Sequence, residues 1–106
     1  MARITFVQPD GRRDVVDAAE GGSVMEAARR HSVRGITAEC GGECLCCTCH
    51  CYVDAEWAGL LPPKQEQEAH LIDFAHEPRP TSRLTCQLRV TRALDGLVLH
   101  VPERQL

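Results

Sequence analysis

Cys40-Gly41-Gly42-Glu43-Cys44-Leu45-Cys46-Cys47-Thr48-Cys49-His50 is the stretch on which the fold turns, and with Cys51 it holds six of the seven cysteines. The seventh, Cys86, completes a C-x5-C-x2-C-x36-C spacing with Cys40, Cys46 and Cys49. Three thiols on one loop and a fourth far downstream fit a two-iron, two-sulfur cluster held by four thiolates. Each iron in such a cluster is tetrahedral, so four sulfurs must converge on a small centre, which an irregular loop can wrap and a helix or straight strand cannot. Gly41 and Gly42 suit the wrapping, because glycine accepts positive φ and lets backbone N–H groups approach the sulfurs. Spacing alone leaves competitors. Cys44 and Cys47 form another C-x2-C pair, and such pairs also hold zinc.

The cysteines crowd too closely for a disulfide framework and their total is odd, so reduced thiols in a cytosolic compartment are expected. At 106 residues the chain reads as a single domain spanning 1–106. The first ten residues carry Arg3 and Asp10 with no apolar leader, and no apolar run approaches the roughly 18 residues of a membrane span. A soluble, unexported chain with no membrane association is expected. Net charge is −3 but uneven: Glu39 to Glu77 holds eight acids and one base, Lys64, against seven acids and eleven bases elsewhere. An acidic middle third disfavours nucleic acid and favours a basic protein face, with an attraction that weakens as salt rises.

Pro9-Asp10-Gly11 between two short β-rich runs, Ile4 and Phe6 before it and Arg13 to Val16 after it, predicts a hairpin. Ser23 and Glu26 form a capping-box signature, opening a helix with Val24, Ala27, Ala28 and His31 on one face that ends near Gly35. Thr48 to Val53 reads as a strand leaving the cysteine loop, and Ala55 to Leu61 as a helical turn stopped by Pro62-Pro63. A second helix is expected from Gln65 to His76. It carries a polar stripe of Glu66, His70, Asp73 and Glu77, with Ala69, Ile72 and Ala75 on another face. Arg83 to Val90 alternates, which predicts a strand with Leu84, Cys86, Leu88 and Val90 inward, and Leu97 to Val101 reads as the last strand. Interspersed strands and helices say α+β.

The cysteine loop, together with Asp10-Gly11, Gly35-Ile36, Tyr52-Val53, Ser82-Arg83-Leu84, Leu94-Asp95-Gly96 and Val101-Pro102, resembles the vertebrate-type and bacterial 2Fe-2S ferredoxin family of adrenodoxin and putidaredoxin type. The resemblance runs the length of the chain and differs from plant-type ferredoxins, whose first spacing is C-x4-C. It implies a β-grasp fold, a small mixed sheet with a helix packed across it. It also implies one 2Fe-2S cluster, with Cys40 and Cys46 on the iron nearer the surface and Cys49 and Cys86 on the inner iron. Cys47 and Cys51 are then small packing residues, and His50 a hydrogen-bonded structural residue.

By the same resemblance the chain is no enzyme but a one-electron carrier. It would move electrons from an NAD(P)H-dependent flavoprotein reductase to a haem-thiolate monooxygenase of the cytochrome P-450 type, as a monomer in a bacterial cytoplasm. The helix matching Gln65 to His76 carries docking carboxylates in the relatives, which makes Glu66, Glu68 and Asp73 candidates here, with Glu39 beside the first ligand as another. His70 stands where the vertebrate relatives are commonly acidic, and the tail through Leu106 lacks the aromatic end that aids docking in putidaredoxin. The alternatives are a ferredoxin feeding iron–sulfur assembly, a zinc-binding interaction module, and a thiol oxidoreductase using Cys46-Cys47-Thr48-Cys49, whose motif lacks the βαβ context it needs.

Overall fold

The computed structural model describes residues 1–36 and 49–103. Five strands form one mixed sheet in the order β2-β1-β5-β3-β4. The strands are β1 (Ala2–Val7), β2 (Arg13–Ala18), β3 (His50–Val53), β4 (Ser82–Leu84) and β5 (Val98–His100). β1 and β2 make the expected hairpin, with Ala2 opposite Ala18 and Ile4 opposite Val16, so the apolar side chains of both strands share one face. β5 runs parallel to β1, pairing Thr5 with Val98, and antiparallel to β3, pairing Val53 with Leu99. The α+β, β-grasp architecture expected from the sequence is therefore present.

α1 (Val24–Arg30) starts as its capping box dictates. The Glu26 N–H donates to Ser23 Oγ at 3.1 Å, and the Ser23 N–H donates to Glu26 Oε1 at 3.3 Å. Val24, Met25, Ala27 and Ala28 are buried, and with Ile4, Phe6, Leu88, Leu97 and Leu99 they build the core under the sheet. Each large aliphatic or aromatic side chain so buried contributes about 1.5–3 kcal/mol. The helix stops at Arg30, earlier than the pattern suggests. His31 is its C-cap and is exposed rather than part of the apolar face. Two left-handed residues, Ser32 (φ 55°) and Gly35 (φ 91°), then turn the chain toward the cysteine segment. Gly35 is required sterically as well, since an added Cβ would lie 2.6 Å from Val101 Cγ1.

α2 spans Glu66–Ile72, shorter than the expected Gln65 to His76. Beyond Ile72 the bonds tighten to i+3, with Phe74 N–H to Leu71 O and Ala75 N–H to Ile72 O. Pro78 disfavours helical backbone at Glu77, which adopts φ 46°. Residues 55–60 form turns, with Trp57 and Ala58 N–H groups both donating to Asp54 O, and no regular helix.

The expected strand from Arg83 to Val90 is overturned. β4 ends at Leu84, and Thr85–Gln87 form a 3₁₀ turn. The cause is a tertiary contact: the Thr85 N–H and hydroxyl both donate to Cys49 O, at 3.1 and 2.9 Å, and pull the chain out of the ladder. Thr85 is buried and Cys86 half-buried, the reverse of the alternation. Leu88 and Val90 regain the core because their backbones pair with the start of α1 through Val24 N–H to Leu88 O and Val90 N–H to Gly22 O.

Candidate metal centre

Cys49 and Cys86, far apart in sequence, meet where the start of β3 faces the 3₁₀ turn. The Cys86 N–H donates to Cys49 Sγ at 3.4 Å, and the Gln87 side-chain amide donates to Cys86 Sγ, also at 3.4 Å. Neither sulfur is in a disulfide. The two hydrogen bonds that Thr85 donates to Cys49 O lock the two segments together, so the sulfurs are held in place by backbone as well as by packing. A hydrogen bond to the Cys86 thiol, followed by burial, holds the Cys49 thiol protonated far above the ordinary cysteine range. Ionising such a thiol needs a cation at the sulfur, and metal coordination supplies one.

The donor chemistry therefore fits an iron–sulfur group. Two sulfurs outside any disulfide stand together, one already receives a backbone N–H, and Leu84 and Leu88, two residues to either side of Cys86 in the chain, are buried. Cys40, Cys46 and Glu39 lie outside the described residues, as do Cys44 and Cys47. Among the described residues no group of three or more ligating side chains converges. Cys51 is fully buried on β3 and burial alone pushes its thiol up, which makes it an inert packing residue.

His50 behaves as a structural residue. It is fully buried, its Nε2 lies 2.8 Å from Ser82 Oγ, and its ring meets Tyr52 edge-on with centroids 4.8 Å apart. Burial, then the neighbouring His76 and Arg79, pushes its pKa down to about 4, so it is neutral at pH 7. Ser82 Oγ also accepts the Arg79 N–H at 2.8 Å, and Arg79 lies 4.1 Å above the Tyr52 ring. The Tyr52 hydroxyl reaches the His76 and Glu77 carbonyls at 3.1 and 2.8 Å. Sequence reasoning did not single out this network, since its members are spread over three segments.

The four docking candidates separate. Glu66 and Asp73 are exposed on the outer face of α2 and its C-terminal turn, with His70, Glu77 and Phe74. Phe74 is 67% exposed and its ring meets His70 edge-on at 5.7 Å. Glu68 is not a surface residue, and its assignment to the docking face is corrected. It is 1% exposed, and its carboxylate takes Arg83 Nε at 2.8 Å, Arg83 Nη2 at 3.2 Å and the Leu84 N–H at 2.9 Å. Arg83 Nη1 also donates to Pro62 O at 2.6 Å, so the pair ties α2 and the Pro62 loop to the strand that leads into Cys86. No helix among the described residues is long and apolar enough to cross a membrane.

A family described as the 2Fe-2S iron–sulfur cluster binding domain matches residues 7–91, which include the whole cysteine loop and Cys86. Rhodocoxin of Rhodococcus erythropolis is 43% identical over 107 residues, covering 100% of both chains. Putidaredoxin of Pseudomonas putida is 39% identical, covering 99% of each. Its structure in the covalent putidaredoxin reductase–putidaredoxin complex superposes with a TM-score of 0.91 at 38% identity, covering 97% of this chain and 100% of that one. The crystal structure of a ferredoxin from Rhodopseudomonas palustris HaA2 gives a TM-score of 0.94 at 51% identity, over 98% and 99% of the two chains. The paired sulfurs and the five-stranded fold thus sit in a chain that belongs to the 2Fe-2S ferredoxins of adrenodoxin and putidaredoxin type, cluster-binding electron carriers rather than enzymes.

Proposed function

We propose that the chain carries single electrons from an NAD(P)H-dependent flavoprotein reductase to a haem-thiolate monooxygenase of the cytochrome P-450 type, with Cys40, Cys46, Cys49 and Cys86 as cluster ligands. The observation that carries this reading is the meeting of Cys49 and Cys86 with an N–H aimed at sulfur. When bound, the cluster supplies reversible one-electron chemistry. Thr85 holds the two ligand segments in register, the Cys86 N–H offsets negative charge at sulfur, and the burial of Cys49 excludes water on that side. Glu66 and Asp73 on the exposed face of α2 offer an acidic surface to a basic partner, and Glu39, outside the described residues, is a further docking candidate by its place in the sequence. That a close relative has been trapped in complex with its reductase supports the donor half of this reading. The same chemistry argues against nucleic acid as a partner. The chain would work as a monomer in a bacterial cytoplasm.

Two partners sharing one carrier require modest, salt-sensitive affinity. The test is stopped-flow reduction of the holoprotein by a ferredoxin reductase across ionic strength, followed by electron delivery to a P-450. A rate that falls steeply with salt is expected, and a flat profile would refute electrostatic docking. Serine at position 40, 46, 49 or 86 should abolish or change the visible and electron-spin-resonance spectra. Alanine at 44, 47 or 51 should leave them unaltered.

A further inference from the structure

Cys86 sits half out of the core on its 3₁₀ turn and borders a groove that also contains Glu26, Gln87 and Arg89. Two of the long side chains along that groove are engaged elsewhere. Glu26 Oε1 accepts the Ser23 N–H in the capping box, and Arg89 Nη1 donates to Gly21 O at 3.3 Å. Gln87 is exposed, yet its amide folds back to Cys86 Sγ at 3.4 Å rather than extending into water. Its Cα is held relative to that sulfur, because Thr85 is clamped to Cys49 O and the Leu88 N–H closes the turn onto Thr85 O at 3.3 Å.

We infer that the Gln87 side-chain amide is a potential-setting donor to the sulfur of Cys86, raising the reduction potential of this ferredoxin. The inference rests on the reading of Cys86 as a cluster ligand. The physical reason is charge: reduction adds one negative charge to the ligand set, so an N–H directed at a ligand sulfur stabilises the reduced form more than the oxidised form. Removing the donor shifts the equilibrium toward the oxidised form. A carboxylate in its place shifts it further, and a guanidinium, which keeps a donor and adds positive charge, shifts it the other way. Gln87 is a positioning and tuning residue, with no chemical step of its own.

The experiment is a spectroscopically monitored redox titration of the holoprotein carrying Gln87→Leu, Gln87→Glu or Gln87→Arg. Potentials are expected in the order arginine, wild type, leucine, glutamate from highest to lowest. For Gln87→Leu the expected shift is about threefold toward oxidised protein, or about 28 mV at 59 mV per tenfold for one electron. A second readout is the change in iron–cysteine stretching frequencies on transfer from H₂O to D₂O, which Gln87→Leu should diminish. Leucine and glutamate variants that titrate with the wild type, or an undiminished isotope shift, would overturn the inference. Cys86→Ser separates the two readings. An unchanged spectrum in that variant defeats the ligand assignment itself, whereas a changed spectrum together with unmoved Gln87 potentials defeats only the tuning role.

Discussion

Glu66 and Glu68 are separated by one residue and by roughly 200° of helical rotation. Glu66 faces water with Asp73 and Phe74, while Glu68 faces inward with Ile72 and Ala75 and is saturated by Arg83 and the Leu84 N–H. One helix therefore carries two kinds of carboxylate. The inner one ties the helix to the strand that ends at the turn bearing Cys86. The outer ones are free to meet a partner without disturbing that attachment. The difference teaches that an acidic count along a helix overstates a docking surface until its phase is known.

The contrast is most forcefully broken by Glu68→Gln, which leaves the Arg83 guanidinium buried without its counter-charge. A loss of about 3–5 kcal/mol is expected, read as a lowered denaturation midpoint, with faster bleaching of the holoprotein. A double variant, Glu68→Gln with Arg83→Met, should recover part of it, since removing both charges avoids the unpaired one. Charge reversal on the outer face, Glu66→Lys with Asp73→Lys, should do the opposite. Stability should move by less than about 0.5 kcal/mol. Reductase affinity at low salt should fall on the order of tenfold, about 1.4 kcal/mol, and the gap to wild type should close in high salt.

Phe74→Ser sharpens the same comparison with an uncharged change. A weakening of about threefold that persists at high salt is expected from stopped-flow affinities, because an apolar contact is not screened. The smallest effect belongs to a second, more exposed carboxylate, Asp54, hydrogen-bonded to His100 Nε2 at 2.8 Å. The His100 hydrogen bond, then the Glu56 N–H, holds the Asp54 carboxyl below its usual range. The folded state thus binds fewer protons there than the unfolded state. Its contribution is complete above the unfolded carboxylate pKa and is lost as pH falls through the folded value. Asp54→Asn should lower stability slightly at neutral pH, leave it unchanged below the folded carboxyl pKa, and so make the acid limb of the stability–pH curve slightly shallower, the effect being small because partly exposed pairs are weak.

Local signals were legible where one segment suffices. The Asp10-Gly11 hairpin, the Ser23/Glu26 capping box and the last strand can be read from neighbours in the chain, and all three are present. The four-cysteine spacing was legible as well, and its Cys49–Cys86 half is brought together in space. What failed was decided by tertiary partners. The alternation from Arg83 to Val90 reads as a strand until Thr85 finds the carbonyl of Cys49, and Glu68 reads as a wet acid until Arg83 is placed beside it. Arg83 itself lies on a strand whose pattern gave no hint of an inward guanidinium.

The strand order has a further consequence for how the protein is made. β5, the last of the five described strands to leave the ribosome, lies in the middle of the sheet and joins the β1–β2 hairpin to the β3–β4 pair. Until it emerges, the half that bears Cys49 has no ladder connecting it to the other half. Final closure of the sheet must therefore follow synthesis of residues 98–100.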